Sequence, residues 1–200
     1  HPRGEAYENP DLGKAVQDRL LISNEYSNRL VHKWRSEEAA ILVGTNTALV
    51  DNPELTTRLW TGHSPVRLVL DMNLRLPSHL KIFNREVRTI VFNSIKEVED
   101  NGLLYHRLNK LSDVIPQMMD ALYRMNIQSV LVEGGAKMLQ SFIDEGYWDE
   151  GRVIINKQLT ISDDQNGDTG LKAPLLADTI LLEESKLEND IIRIFKPKGR

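Results

Sequence analysis

The chain has 200 residues, 40% of them hydrophobic and 27% charged, a balance that supports an ordered core. Its formal charge is −4 and its sequence pI about 5.8, against a domain built around nucleic acid. The chain has no cysteine, which excludes disulfides, thiol nucleophiles and cysteine-ligated zinc. No apolar run approaches the ~18 residues of a membrane helix and no signal-peptide pattern opens the chain, so a cytoplasmic protein is expected.

Residues His1 to Asp18 are polar, with Pro2, Gly4, Pro10 and Gly13, and read as a loop or tail. An α/β domain usually opens on an apolar strand; an upstream strand is therefore expected to be missing, with residues 19–200 as a single domain. Ser23 is placed to cap a helix over Asn24 to Arg35, with Tyr26, Leu30 and Trp34 on one face. Ala39 to Val43 is a buried strand ended by Gly44. A helical turn follows at Thr47 to Val50, stopped by Asn52-Pro53. Leu55 to Arg58 reads as a short strand, and Val66 to Leu70 as a second buried one ending at Asp71.

Further strands are expected at Thr89 to Phe92 and Leu103 to Tyr105. Ser112 would cap a helix reaching Met125, with Pro116 tolerated near its first turn. The strand Ser129 to Val132 leads through Glu133-Gly134-Gly135 into a helix from Ala136 to about Glu145. Gly151 to Leu159 and Ile180 to Phe195 read as strands, the latter folding back around Leu187 to Asp190 as an antiparallel hairpin. The polar segment Ser162 to Gly170 reads as a loop. Alternating strands and helices predict an α/β fold: a mostly parallel central sheet, helices on both faces, and a C-terminal antiparallel hairpin at one edge.

Two segments carry candidate chemistry. In open α/β sheets ligands bind beyond the carboxyl ends of the strands. Val130-Leu131-Val132-Glu133-Gly134-Gly135-Ala136 puts a carboxylate, two glycines and a helix N-terminus at such an end. Glycines let a phosphate approach the backbone, and the helix end attracts anions. The same residues also suit a plain strand-to-helix turn with a capping acid. The second segment runs from Ile41 through Thr45, Thr47, Asp51, Asn52 and Pro53 to Arg58. Its threonines can donate to phosphate or carbonyl oxygens, and Arg58 can grip a phosphate. Asp51 suits a turn equally well. Arg35 either complements its helix end or reaches the same phosphate as Arg58. The five histidines show no metal-ligand spacing, so no metal site is assigned.

Together these motifs resemble the C-terminal reductase domain of the bifunctional riboflavin-biosynthesis deaminase–reductase family, from about Ser23 to Leu159. The pattern comprises Arg35 ending the first helix, Thr47-x-x-x-Asp51-Asn52-Pro53-x-Leu55-x-x-Arg58, the strand ending in Asp71, and the Glu133-Gly134-Gly135 turn. The resemblance implies a dihydrofolate-reductase-like fold, a homodimer, and NADPH-dependent reduction of the ribosyl group of 5-amino-6-(5-phosphoribosylamino)uracil to ribityl. It implies that Arg35, Arg58 and the backbone near Leu55 hold the substrate phosphate, with Glu133 also binding substrate. It places Thr47, Asp51 and the turn Gly134, Gly135, Ala136, Lys137, Met138, Leu139 on the cofactor, and makes Asp51 the catalytic acid. The family's zinc deaminase domain, fused upstream or separate, needs cysteines that this chain lacks.

The sequence departs from the family at Leu21, where tryptophan is frequent, and at Met72, where a cofactor-binding serine is frequent; Asn73 or Arg75 would then compensate. The family's first strand, with its lysine and Asp-Gly turn, has no counterpart here. The rival readings are another dihydrofolate-reductase-like pterin or pyrimidine reductase, and a non-catalytic dimerisation module. Two arginines suited to a phosphorylated substrate argue against the first.

Overall fold

The computed structural model describes residues 24–156 and 173–199. The expected tail His1 to Asp18, the cap at Ser23, position Leu21, the end of the strand at Leu159 and the loop Ser162 to Gly170 lie outside them.

The elements are α1 (Glu25–Glu37), β1 (Ala40–Gly44), α2 (Thr45–Asp51), β2 (Val66–Leu70), a 3-10 turn (Lys81–Phe83), β3 (Thr89–Asn93), β4 (Val98–Asp100), β5 (Leu103–Arg107), α3 (Val114–Arg124), β6 (Val130–Val132), α4 (Ala136–Asp144), β7 (Gly151–Asn156), β8 (Thr179–Leu187) and β9 (Asp190–Pro197). The main sheet runs β4-β5-β3-β2-β1-β6. All its pairings are parallel except β4 with β5.

Parallel strands covered on both faces read as unbroken apolar runs, and β1 shows why. Ala40 and Leu42 point to a core shared with Ile115, Met118 and Leu122 of α3 and Phe142 of α4. Ile41 and Val43 point the other way, to Ala48 of α2, Leu55, Leu80 and Ile82. The sheet therefore carries helices on both faces, as expected.

Several expectations are corrected. The closing hairpin β8–β9 does not extend the main sheet. It pairs with β7 in a separate antiparallel sheet, β7-β9-β8. The antiparallel edge of the main sheet is instead β4, whose three residues are all exposed and carry no alternating pattern. Leu55 to Arg58 is not a strand: Leu55 has φ of +52°, which breaks extended geometry, while its side chain is buried. The N-cap of α1 is Asn24, whose Oδ1 accepts from Ser27 N–H at 2.9 Å. α3 starts at Val114, after Asp113 rather than after Ser112, and the Gln117 side chain donates to the carbonyls of Ser112 and Asp113.

The face of α1 is also not the expected one. Tyr26 is exposed and Leu30 half-buried, whereas Ser27, His32 and Trp34 are buried. A distant carboxylate explains this. Asp190, at the start of β9, is fully buried, and its Oδ2 accepts from Ser27 Oγ at 2.5 Å and Asn24 N–H at 3.0 Å. An acid at a helix N-terminus satisfies orphan N–H groups and complements the dipole.

Candidate active site

Because β1, β2, β3, β5 and β6 run parallel, their carboxyl ends share one edge of the sheet. The β6 end is tied to β1 by Glu133 N–H donating to the Leu42 carbonyl at 2.9 Å. The β2 end is held by the buried Asp71: its Oδ2 accepts from Leu76 N–H at 2.9 Å, and its Oδ1 lies 3.2 Å from Thr45 Oγ1. Thr45 Oγ1 donates to the Leu70 carbonyl at 2.8 Å, so Thr45 starts α2 by gripping the neighbouring strand. Of the two threonines considered as phosphate donors, Thr45 is thus committed to the protein itself. At the Met72 position, the carbonyl is bonded by both the N–H and the hydroxyl of Ser94.

On one side of Glu133 stands a backbone cradle. Gly134 and Gly135 have φ of +75° and +79°, a conformation other residues resist. Thr47 packs directly on them: a Cβ at Gly134 would lie 2.8 Å from Thr47 Cγ2, and one at Gly135 would lie 3.2 Å from Thr47 Oγ1. Gly135 caps α4 without a side-chain bond, so the first N–H groups of Ala136, Lys137 and Met138 have no side-chain cap among the described residues. Leu139 N–H closes the first turn on the Gly135 carbonyl. Met138 reaches back to β1, 3.1 Å from a Cβ placed at Gly44. Thr47 and the Gly134 to Leu139 turn are therefore one structural unit.

On the other side of Glu133 stands a cationic cluster. Arg35, near the end of α1, grips Glu133 with both arms: Nε to Oε1 at 2.7 Å and Nη2 to Oε2 at 2.6 Å. Its remaining Nη1 donates to the Thr56 carbonyl at 3.3 Å. Arg58 turns toward Thr56 as well, with Nη1 3.4 Å from Thr56 Oγ1, and it pairs with Glu54. The two arginines thus meet at Thr56, one on its carbonyl and one on its hydroxyl. Asp51 ends α2 with an exposed side chain that makes no hydrogen bond among the described residues. Asn52 follows in the left-handed conformation, turning the chain from α2 into this cluster.

Sequence reasoning missed His32. His32 is buried, and its Nδ1 accepts the Arg58 backbone N–H at 3.0 Å. Burial, then the Arg35 and Arg58 charges, hold its imidazole below the usual histidine range. The available signal was its position three residues before Arg35, on the same helical face. Glu54 and Lys81 were also missed. Glu54 stands four residues before Arg58, but nothing local announces Lys81.

A glycine-turn helix N-terminus and an arginine cluster at the carboxyl ends of parallel strands define an open α/β ligand-binding domain. Residues 12–159 match the RibD C-terminal domain, and the chain belongs to that family. It is 30% identical to the riboflavin biosynthesis protein RibD of Aquifex aeolicus over 185 residues, covering 88% of this chain and 51% of that protein. It is also 30% identical to the 2,5-diamino-6-ribosylamino-4(3H)-pyrimidinone 5′-phosphate reductase of Methanothermobacter thermautotrophicus, covering 89% of this chain and 88% of that one. The Thermotoga maritima diaminohydroxyphosphoribosylaminopyrimidine deaminase/5-amino-6-(5-phosphoribosylamino)uracil reductase superposes with a TM-score of 0.72 at 27% identity, over 90% of this chain and 51% of that chain. The chain spans about half the length of the Aquifex and Thermotoga proteins. Among the described residues no helix is long and apolar enough to cross a membrane.

Proposed function

We propose that this chain is an NADPH-dependent reductase of riboflavin biosynthesis that converts the ribosyl group of 5-amino-6-(5-phosphoribosylamino)uracil to ribityl. The observation that carries the reading is Glu133. It joins, at one strand end, a glycine cradle suited to a dinucleotide and an arginine cluster suited to a phosphate. The relatives' names supply the pathway and the substrate class.

The residues present fit the cofactor. Thr47 fills the space that a side chain at Gly134 or Gly135 would take, so its hydroxyl stands against the glycine turn that opens α4. The uncapped N-terminus of α4 adds N–H donors and a favourable dipole. Thr47 and the Gly134 to Leu139 turn would hold NADPH, which when bound supplies the hydride.

The remaining work belongs to the chain's own side chains. Arg35, Arg58 and the backbone near Leu55 hold the substrate phosphate, and Glu133 binds the substrate while steering Arg35. The ribosylamine ring opens to an imine, C1′ gains hydride, and the nitrogen gains a proton. Asp51 is the acid for that proton: it ends α2 five residues before Thr56, exposed and without a hydrogen bond among the described residues. Positioning of the two bound molecules provides most of the rate. We read the protein as a cytoplasmic homodimer. Ile180, Leu181 and Leu182, exposed on β8, are consistent with a partner surface. A zinc deaminase, fused or separate, would supply the deaminated substrate.

The test is NADPH oxidation by the purified protein with the deaminated pyrimidine, with NADH and the diamino pyrimidinone in parallel arms. Turnover with NADPH, reduced at least about 10-fold in Asp51→Asn, is the expected result. Turnover unchanged in Asp51→Asn removes that residue's role. Absence of turnover with either pyrimidine, alongside no measurable NADPH binding, would favour a non-catalytic module. A strong preference for the diamino compound would instead make its substrate the diamino pyrimidinone for which the Methanothermobacter relative is named.

A further inference from the structure

Glu54 holds a different cation on each oxygen. Its Oε1 accepts from Lys81 Nζ at 3.1 Å, and its Oε2 pairs with Arg58 Nη1. Two cations bridged by one carboxylate are spaced to be bridged by any anion that presents two oxygens on one edge, and phosphate offers that edge with a larger charge. Arg58 is already one of the residues assigned to the substrate phosphate.

Lys81 comes from far along the chain, yet its backbone is fixed against the same loop. Its N–H donates to Asn52 Oδ1 at 2.8 Å, one residue after Asp51. The 3-10 turn that carries it is pinned to the sheet by the buried Arg67, whose Nη1 donates to Asn84 Oδ1 at 2.7 Å and to the Ile82 carbonyl at 3.3 Å. On the Lys81 side lies an open depression of about 390 Å³ lined by Glu54, Lys81, Ser78 and His79, among others; Arg58 lines a different depression, with Arg29 and Trp60, so the Glu54 carboxylate is what joins the two cations. Both cation side chains are about half exposed, at 52% for Arg58 and 54% for Lys81. Ion pairs this exposed are weak and readily exchanged.

We propose that Arg58 and Lys81 form one anion site which Glu54 fills in the free protein, and that the substrate's 5′-phosphate displaces the Glu54 carboxylate and takes both cations. The proposal rests on the reductase reading for the identity of its ligand; the cation pair rests on geometry alone. Lys81 thereby becomes a substrate-binding residue, and Glu54 a selectivity residue. With Glu54 in place, a lone phosphate must compete with a tethered carboxylate. A substrate that also engages the Arg35–Glu133 side of the cluster has further contacts to set against that competition. Specificity gained by opposing the wrong ligand works in this way.

The experiment has two readouts. Calorimetry with ribose 5-phosphate and with inorganic phosphate measures the site without catalysis. Turnover with the ribosylaminopyrimidine and its dephosphorylated form measures it during catalysis. In Lys81→Ala, ribose 5-phosphate affinity should fall about 10-fold, and the preference for the phosphorylated substrate in kcat/KM should fall by a similar factor, mostly through KM. In Glu54→Gln, inorganic phosphate should bind about 5-fold more tightly and become a stronger competitive inhibitor. Unchanged ribose 5-phosphate affinity in Lys81→Ala overturns the proposal, as does equal loss with the phosphorylated and dephosphorylated substrates. Weaker phosphate binding in Glu54→Gln overturns the placeholder role. A wild-type protein that binds ribose 5-phosphate through Lys81 but reduces neither pyrimidine would defeat the reductase reading while supporting the anion site. One that reduces the pyrimidine with Lys81→Ala indistinguishable from wild type would defeat the anion site alone.

Discussion

The contact between Thr47 and Gly134 makes a quantitative prediction. Gly134→Ala introduces a Cβ at φ of +75°, and that Cβ would lie 2.8 Å from Thr47 Cγ2. The left-handed conformation costs a non-glycine residue roughly 1–2 kcal/mol. Forcing a methyl into a filled space costs about 1–3 kcal/mol more. The expected destabilisation is therefore about 2–5 kcal/mol, accompanied by a higher KM for NADPH because the cradle must open. The two contributions separate in a double-mutant cycle. Thr47→Ser deletes Cγ2, leaving the hydroxyl at the 3.4 Å separation seen for Oγ1. The double variant should recover the steric share, a coupling of about 1–2 kcal/mol, and retain the conformational share. Urea unfolding of the four proteins by linear extrapolation reads this directly. Additivity within about 0.5 kcal/mol would show that Thr47 and Gly134 do not press on each other, and would undo the argument that their packing shapes the cradle.

Glu133→Gln removes one charge from a largely buried bidentate pair, its Arg35 side chain only 13% exposed. It should destabilise by about 2 kcal/mol, with partial recovery when Arg35→Met is added, because the uncompensated charge is then gone. A loss below about 0.5 kcal/mol by urea unfolding would contradict that. His32 is held neutral in the fold, below its unfolded pKa, so the unfolded chain takes up the proton first. Its contribution to stability is full above about pH 6.5 and is lost as pH falls toward the lower folded value. His32→Asn, which keeps an acceptor near the Nδ1 position, should flatten that part of the stability–pH profile; an unaltered slope would refute it. Arg67 is fully buried with Nε and Nη2 unpaired among the described residues. Its acceptors keep other donors: the Ile82 carbonyl has Thr89 Oγ1, and Asn84 Oδ1 has the Glu86 N–H. Arg67→Met should thus change stability by less than about 1 kcal/mol, whereas Arg67→Ala should cost about 2–5 kcal/mol through the cavity. Similar losses in both variants would count against this account.

Much of the site was legible in the sequence because its parts are local. Thr47 and the Gly134 to Leu139 turn were assigned together, and they pack together. Arg35 and Glu133 were both assigned to substrate, and they form a bidentate pair across 98 residues. The resemblance to a known family linked these distant motifs; no periodicity within either segment would have. Glu54, Lys81 and His32 escaped because each acts through a partner brought near only by folding.

The sequence by itself determined the buried strands, since a parallel strand covered on both faces must be apolar throughout, and Ala40 to Val43 is. It also determined the glycine turn after Glu133, because positive φ at consecutive positions selects glycine. Tertiary structure alone decided the rest. It decided which face of α1 is buried, because Asp190 needs Ser27 and Asn24. It decided that the final hairpin leaves the main sheet, because pairing partners are chosen by docking of whole faces rather than by any residue in the strand. And it decided which charges meet at Thr56 and Glu54, because electrostatic attraction acts through space at a few ångströms, a distance to which sequence separation is blind.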